Sequence, residues 1–268
     1  MCSVTWSWGE GGYDLFFNRD ELDSRAPEIP PTLLQQRGVR LIAPIDGDRG
    51  GTWIQVNEFG VVSCVLNDYE GDQKMGGAPK PSSRGLIVRG TASCRDLDAV
   101  SDWVATCPLA ATAPFRLVSI AEDRRVLLTH WNGERLFTSR AAPEVPLITS
   151  SSFRTREVMA ARHKTFRSLV VDANHPRATE LARFHRQYDP LRGAYSVAMC
   201  RSGASTRSHC HIAVRKRIIT MSYSTFCWTG TLTERAGPVL RLPRAPCDSR
   251  ADGPSTHAEL MKDEFSHG

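Results

Sequence analysis

The sequence predicts one layered α+β domain built around a largely antiparallel sheet, and three observations carry that expectation. From Cys2 to about Arg201, short apolar runs alternate with turn residues at intervals that suit strands. Tight-turn signals stand between several of these runs, which joins strands that are neighbours in the chain. Only three segments carry apolar residues at helical spacing.

Taken in order, strand-like residues begin directly after Met1. The run Cys2 to Trp8 is expected to pair with Tyr13 to Asp20 across the turn Gly9-Glu10-Gly11-Gly12. Such a hairpin brings Cys2 beside Asn18, Arg19 and Asp20. Val39 to Ala43 is a compact apolar run, and Thr52 to Asn57 and Val61 to Asn67 flank the short turn Glu58-Phe59-Gly60. A helix is expected over Asp96 to Cys107, where Leu97, Val100, Trp103 and Val104 share a face and Pro108 stops the helix. Phe115 to Ala121 and Arg125 to Trp131 flank the charged turn Glu122-Asp123-Arg124. Asn132-Gly133, two residues that tolerate positive φ, reverses the chain into Glu134 to Phe137.

Phe153 to Val171 reads as a long basic helix with Val158, Ala161, Thr165, Phe166 and Leu169 along one side. Its Arg154, Arg156, Arg162, Lys164 and Arg167 are expected on a solvated face, because no aromatic residues are interleaved to stack nucleic-acid bases. Ala178 to Tyr188 places Leu181, Phe184 and Tyr188 together. Strands return at Tyr195 to Arg201, His209 to Val214 and Ile218 to Tyr223. Beyond about Gly237 the chain turns polar. Residues 1–236 are therefore expected to form the domain and 237–268 a loosely ordered tail.

Apolar residues at 41% and charged residues at 24% are ordinary globular values. The net charge of +5 comes mostly from dispersed arginines, which suits a weakly anionic small ligand and gives no nucleic-acid arm. The residues after Met1 lack a basic region and an apolar run, so no secretory leader is expected, and without an apolar stretch of about 18 residues no membrane span is expected. Eight cysteines without a Cys-x-x-Cys pair point to reduced thiols and a cytoplasmic location. His209-Cys210-His211 puts two imidazoles on one strand face but lacks further ligands at a recognised metal spacing. The Gly/Pro segment Met75 to Pro81 is either a lid or a plain connection.

Cys2 is the residue on which chemistry centres. Removal of Met1, which a small second residue permits, leaves a free α-amine of pKa about 7.7–8.0 beside a thiol of about 8.5. One residue then supplies both nucleophile and base. Asp20 is placed to orient the amine, and Arg19 to bind a substrate anion.

The run Asn18-Arg19-Asp20-Glu21 after a Met-Cys start resembles the NRDE family, which includes the transport-and-Golgi-organisation proteins. Gly50-Gly51-Thr52-Trp53, Val56-Asn57-Glu58-Phe59-Gly60, Asn67 and Ser83-Arg84-Gly85 extend the match, which runs from residue 2 to about residue 225. The family is similar in turn to N-terminal-nucleophile hydrolases of the bile-salt hydrolase and penicillin V acylase type. Those share the Met-Cys start, an Asn-x-Asp matched by Asn18-Arg19-Asp20, an Asn-Glu-x-Gly matched by Asn57-Glu58-Phe59-Gly60, and a Leu-Asn matched by Leu66-Asn67.

The resemblance implies an αββα sandwich of two antiparallel sheets between helical layers, with Cys2 at its open end. It implies catalytic roles for Cys2 and Asp20, with Asn67 as oxyanion donor, and substrate contacts from Asn18, Arg19 and Ser150. Three departures stand out. Phe17 replaces the acylase arginine, Ile148-Thr149-Ser150-Ser151-Ser152 replaces a Thr-Asn segment, and the late arginine has no secure counterpart, Arg201 and Arg207 being the two candidates. Two functions follow: an amidohydrolase or acyltransferase acting on an amide or thioester through Cys2, needing no cofactor, or a non-catalytic protein that holds haem, with Cys2 as thiolate ligand.

Overall fold

The computed structural model describes residues 2–76, 80–122, 124–140, 143–229 and 231–245. Its first hairpin sets the position of the site. Strands β1 (Cys2–Gly9) and β2 (Gly12–Leu22) pair antiparallel from Gly9 opposite Gly12 to Cys2 opposite Arg19. The expected juxtaposition of Cys2 with residues 18–20 is therefore present. Gly11 takes φ +74°, and a Cβ on Gly12 would collide with the Val214 carbonyl, so the turn demands both glycines.

The chain then builds a second sheet almost in sequence order. Its strands are β3 (Ile29–Gln36), β4 (Val39–Ile45), β5 (Ile54–Asn57), β6 (Val62–Asn67), β7 (Phe115–Ile120), β8 (Val126–Trp131) and β9 (Leu136–Ser139), each antiparallel to the next. Helices α1 (Tyr69–Lys74), α2 (Arg84–Gly90) and α3 (Leu97–Thr106) fill the connection between β6 and β7. The side chain of Asp96 caps α3 by accepting from the Ala99 amide at 2.8 Å.

Strand β10 (Leu147–Ser150), helices α4 (Thr155–Leu169) and α5 (Ala178–His185), and strands β11 (Cys200–Arg201), β12 (Ala204–Arg215), β13 (Ile218–Trp228) and β14 (Leu232–Pro243) follow. They complete the first sheet in the order β10-β1-β2-β12-β13-β14, with β11 beside β12. One core runs from Val4, Trp6, Leu15 and Phe17 through Val56, Cys64 and Leu66 to Val88, Leu97 and Trp103. A second, smaller core joins Phe16 and Leu147 to Phe166, Leu181 and Phe184 of α4 and α5. The architecture is thus an αββα sandwich of two antiparallel sheets between helical layers. No helix among the described residues is long and apolar enough to cross a membrane.

Helices α1 and α2 and strand β10 were not expected from the sequence, and three further segments differ from expectation. β3 went unrecognised because Pro30 and Pro31 interrupt it; as an edge strand it tolerates residues that cannot donate to a ladder. Residues 195–199 are not a strand: a 3-10 turn at Gly193–Tyr195 leads into a buried, bent segment. Its backbone amides bond instead to the Gln187 carbonyl, at 2.9 Å, and to the Thr206 hydroxyl, at 2.8 Å. The expected domain boundary after residue 236 falls inside β14, where Gly237 sits at a register shift against Ser222 and Ser224. The remainder of the expected tail, from residue 246, lies outside the described residues, as do residues 77–79 of the expected lid.

The two glycine motifs meet backbone to backbone. A Cβ on Gly51 would stand 2.7 Å from the Gly85 carbonyl carbon, and one on Gly85 would stand 2.9 Å from the Thr52 nitrogen. Gly51→Ala should therefore destabilise the protein by about 1–3 kcal/mol through overpacking. Gly9→Ala, with nothing within 4 Å of the new methyl, should change stability by no more than about 0.5 kcal/mol. Urea unfolding of the two variants checks the contrast.

Candidate active site

Strand β1 lies between β10 and β2, so Cys2 has Ser150 as its register partner on one side and Arg19 on the other. The Cys2 nitrogen donates to Ser150 Oγ at 3.2 Å, and its carbonyl accepts from Thr149 Oγ1 at 3.2 Å. The side chain is only 9% exposed. Burial pushes the thiol up to about 11; the positive N-terminus opposes this, the Asp20 and Glu21 carboxylates push further up, and a backbone hydrogen bond from Asp20 pulls down. At neutral pH the thiol therefore keeps its proton.

Asp20 points into a polar network beneath the strand. Its Oδ2 accepts from Arg162 Nη2 at 3.0 Å and its Oδ1 from Thr206 Oγ1 at 2.6 Å. Arg162 also donates to Ser3 Oγ at 3.0 Å, to Thr149 Oγ1 at 3.1 Å and to the Ser196 carbonyl at 3.1 Å. Both ionic side chains are 0% exposed. The expectation that Arg162 belongs to a solvated face is wrong: this turn of α4 faces β10 and β1, while the Arg154, Arg156 and Arg167 side chains remain exposed.

Above Cys2 opens a cleft of about 360 Å³ that is also lined by Arg19, Asp20, Trp53, Asn67 and Arg84. Arg19 stacks over Trp53 at 4.4 Å, and its fork is held by Glu28 and Asp46, each at 3.1 Å. Its charge is thus already matched. Asn67 stands at the end of β6 and donates through Nδ2 to the Tyr69 hydroxyl at 2.8 Å. The Trp53 indole N–H is buried and has no partner. Arg84 donates from Nε to the Pro114 carbonyl at 3.0 Å and is close enough to Cys2 for the two to couple electrostatically. No histidine lines this cleft among the described residues.

Of the residues singled out in the sequence, Cys2, Asp20, Arg19 and Asn67 line one cleft, and Ser150 holds the Cys2 nitrogen from behind. Asn18 does not line it; alternation along β2 turns that side chain to the helical layer, where it bonds His185 and His209. Arg201 contacts Ser152 at an exposed position. Trp53 and Arg84 were quoted only as parts of motifs, and Arg162 only as a surface charge. For Arg84 a signal existed: an arginine opening a short apolar helix opposes the helix dipole, so its charge serves something outside the helix.

An αββα sandwich whose first strand delivers a cysteine to a cleft at the open end defines the N-terminal-nucleophile type of architecture. A family model described as Transport and Golgi organisation 2 matches residues 1–217, and the chain belongs to that family. Among solved structures, the Caenorhabditis elegans ortholog of N-acylethanolamine-hydrolyzing acid amidase is similar at a TM-score of 0.53 and 9% identity, covering 79% of this chain and 92% of that one. A C2A mutant of conjugated bile acid hydrolase from Clostridium perfringens gives 0.49 and 11%, covering 90% and 96%. Penicillin V acylase from Agrobacterium tumefaciens gives 0.48 and 14%, covering 88% and 86%. At these identities the likeness concerns the fold. No curated protein matches the chain.

Two measurements probe the site. Asp20→Ala strands a buried guanidinium and should lower stability by about 3–5 kcal/mol, whereas the double variant Asp20→Leu, Arg162→Met should recover much of that loss. Urea unfolding reads both. The second concerns the thiol. Because the native thiol holds its proton above the pH at which an unfolded one releases it, this group favours unfolding progressively as pH rises from about 8.5 towards its native value. Alkylation of native Cys2, followed by peptide mass, should accordingly keep accelerating to about pH 11, whereas in denaturant it levels off near ~8.5.

Proposed function

We propose that this protein is an N-terminal cysteine amidohydrolase or acyltransferase that attacks an amide or thioester carbonyl through Cys2. The observation that carries this reading is the pairing of a buried, protonated thiol with a cleft that offers no histidine, so that the base nearest to hand is the residue's own nitrogen, held by Ser150. Loss of Met1 turns that nitrogen into an amine. The amine accepts the thiol proton as sulfur bonds to the carbonyl carbon, and the resulting ammonium returns the proton to the departing amine or thiol. Water or a second nucleophile then releases the acyl group from Cys2.

Burial raises the thiol, so moving its proton to the weakly basic amine is uphill, and transfer is concerted with attack. Asn67 Nδ2 and the unpartnered Trp53 N–H are the donors for the developing oxyanion or an adjacent acceptor. Lys80, with Arg84, whose guanidinium stands 3.8 Å from Asp72, meets an anionic group on the substrate more readily than Arg19, whose fork is held by Glu28 and Asp46 at 3.1 Å.

The haem-holding alternative draws less support. A thiolate ligand needs a depressed thiol pKa, and burial moves Cys2 the other way. The cleft wall carries Arg19, Arg25, Arg49 and Arg84 against Glu21, Asp46 and Asp72, where a porphyrin needs flat apolar faces. The free thiols among the described residues suit a reducing, cytoplasmic setting.

Intact-mass measurement comes first: a retained methionine sinks the free-amine mechanism. A panel of acyl amides and thioesters should then show turnover that Cys2→Ala abolishes. Absence of turnover in protein lacking Met1, together with a haem Soret band that disappears in Cys2→Ala, would instead establish the binding reading.

A further inference from the structure

The opposite face of the first sheet carries a second arrangement that the chemistry at Cys2 does not use. Helices α4 and α5 cover β10, β1 and β2 but leave β13 and β14 open, so a groove of about 570 Å³ runs between α5 and the outer strands. His209, Phe16 and Ala182 line it, along with Arg186 and Glu234. The Arg186 guanidinium reaches from the end of α5 to Glu234 on β14, with contacts of 2.6 and 2.8 Å, and closes that charge on itself.

Asn18 determines what the groove presents. Its Nδ2 donates to the His185 carbonyl at 2.8 Å and to the Val197 carbonyl at 3.4 Å, which fixes the amide's orientation. Its Oδ1, an acceptor only, then faces His185 Nδ1 at 3.0 Å and His209 Nδ1 at 2.9 Å. Both rings must carry hydrogen on Nδ1. Burial holds them neutral, taking His209 down to about 3, with Arg186 and His211 adding to the effect and Glu234 opposing it. Each Nε2 is therefore a bare lone pair. His185 Nε2 is satisfied by the Thr5 hydroxyl at 2.9 Å. His209 Nε2 is buried and has no partner.

The Arg186 and Ser224 donors beside it are committed elsewhere. Arg186 Nε and Nη2 go to Glu234, its Nη1 goes to the Ala182 carbonyl, and the Ser224 hydroxyl goes to Glu234 at 2.6 Å. A buried acceptor without a donor is costly, and His209 is among the residues that line the groove. Since no group of three His, Cys, Asp or Glu side chains among the described residues is placed to hold a metal ion, a single lone pair points to a hydrogen-bond donor. We infer that this groove binds a neutral, largely apolar small molecule through one hydroxyl or N–H group donated to His209 Nε2, at a site separate from the Cys2 cleft.

Full-length protein labelled with 15N-histidine tests this by long-range proton–nitrogen correlation. The expected spectrum shows His209 protonated at Nδ1 and bare at Nε2. Phenol should shift the Nε2 resonance saturably, while anisole, which has the same ring and no donor, and benzoate, which is charged, should not. Thr179→Trp, at the exposed mouth of the groove, should weaken phenol binding by roughly tenfold or more, the equivalent of a lost hydrogen bond. His209→Phe should abolish binding; if that variant fails to fold, Thr179→Trp decides alone. A proton on Nε2 would overturn the inference, as would equal binding of phenol and anisole, phenol affinity unchanged by Thr179→Trp, or no phenol binding at all.

Discussion

The buried ion pair between Arg162 and Asp20 is the constraint on which the site depends. Two charges removed from water this completely are tolerated only when every remaining donor is satisfied. Arg162 meets that condition by bonding Ser3 on β1, Thr149 on β10, Asp20 on β2 and the carbonyl of Ser196. A one-residue slip of β1 would turn Ser3 to the apolar core and Cys2 towards the helices. The guanidinium would lose a partner and Val4 its packing. The network thus specifies register more than it adds stability, and that register is what delivers Cys2 to the open end.

Alternation along β2 divides a contiguous motif between two compartments. Arg19 shares a face with Cys2, where it stacks on Trp53 and meets Glu28 and Asp46. Asn18 and Asp20 lie on the other face and organise the helical layer, one by fixing two histidine tautomers and the other by neutralising Arg162. Asp20 nevertheless reaches Cys2 through its backbone and its field. Changing Arg19 therefore disturbs the cleft, and changing Asn18 or Asp20 the helical side, so a shared loss of function among such variants need not mean a shared role.

Much of this was legible in the chain, where the signals were local. The β1–β2 hairpin, the β5–β6 turn and the capped helix α3 follow from glycine placement, strand patterning and helical spacing over a few residues. Partners distant in sequence were not. Nothing near Ser150 announces that it will receive the nitrogen of Cys2 from 148 residues away. Nor does the alternation of Ser3, Thr5 and Ser7 with Val4 and Trp6, which reads as a strand with one wet face, reveal that both faces are buried. The same blindness hid Arg162, since a helix rich in arginine looks solvated until one turn proves to face a carboxylate. Gly237 read as the start of a tail because a bulge on an exposed edge strand has the composition of a loop.

The electrostatics of the cleft point to where control of the chemistry lies. Arg19 and Asp20 are already paired, and the Cys2 thiol is held protonated by burial. Among the described residues that line the cleft there is no histidine, and in the reaction proposed above the base is supplied by the chain end. Removing one residue converts an amide nitrogen, which cannot accept a proton at any ordinary pH, into an amine that can. It does so without displacing Ser150 or the network beneath. On the reading proposed for Cys2, the fold is assembled around the nucleophile while its nitrogen is still blocked, and reactivity becomes a property of processing rather than of conformational change.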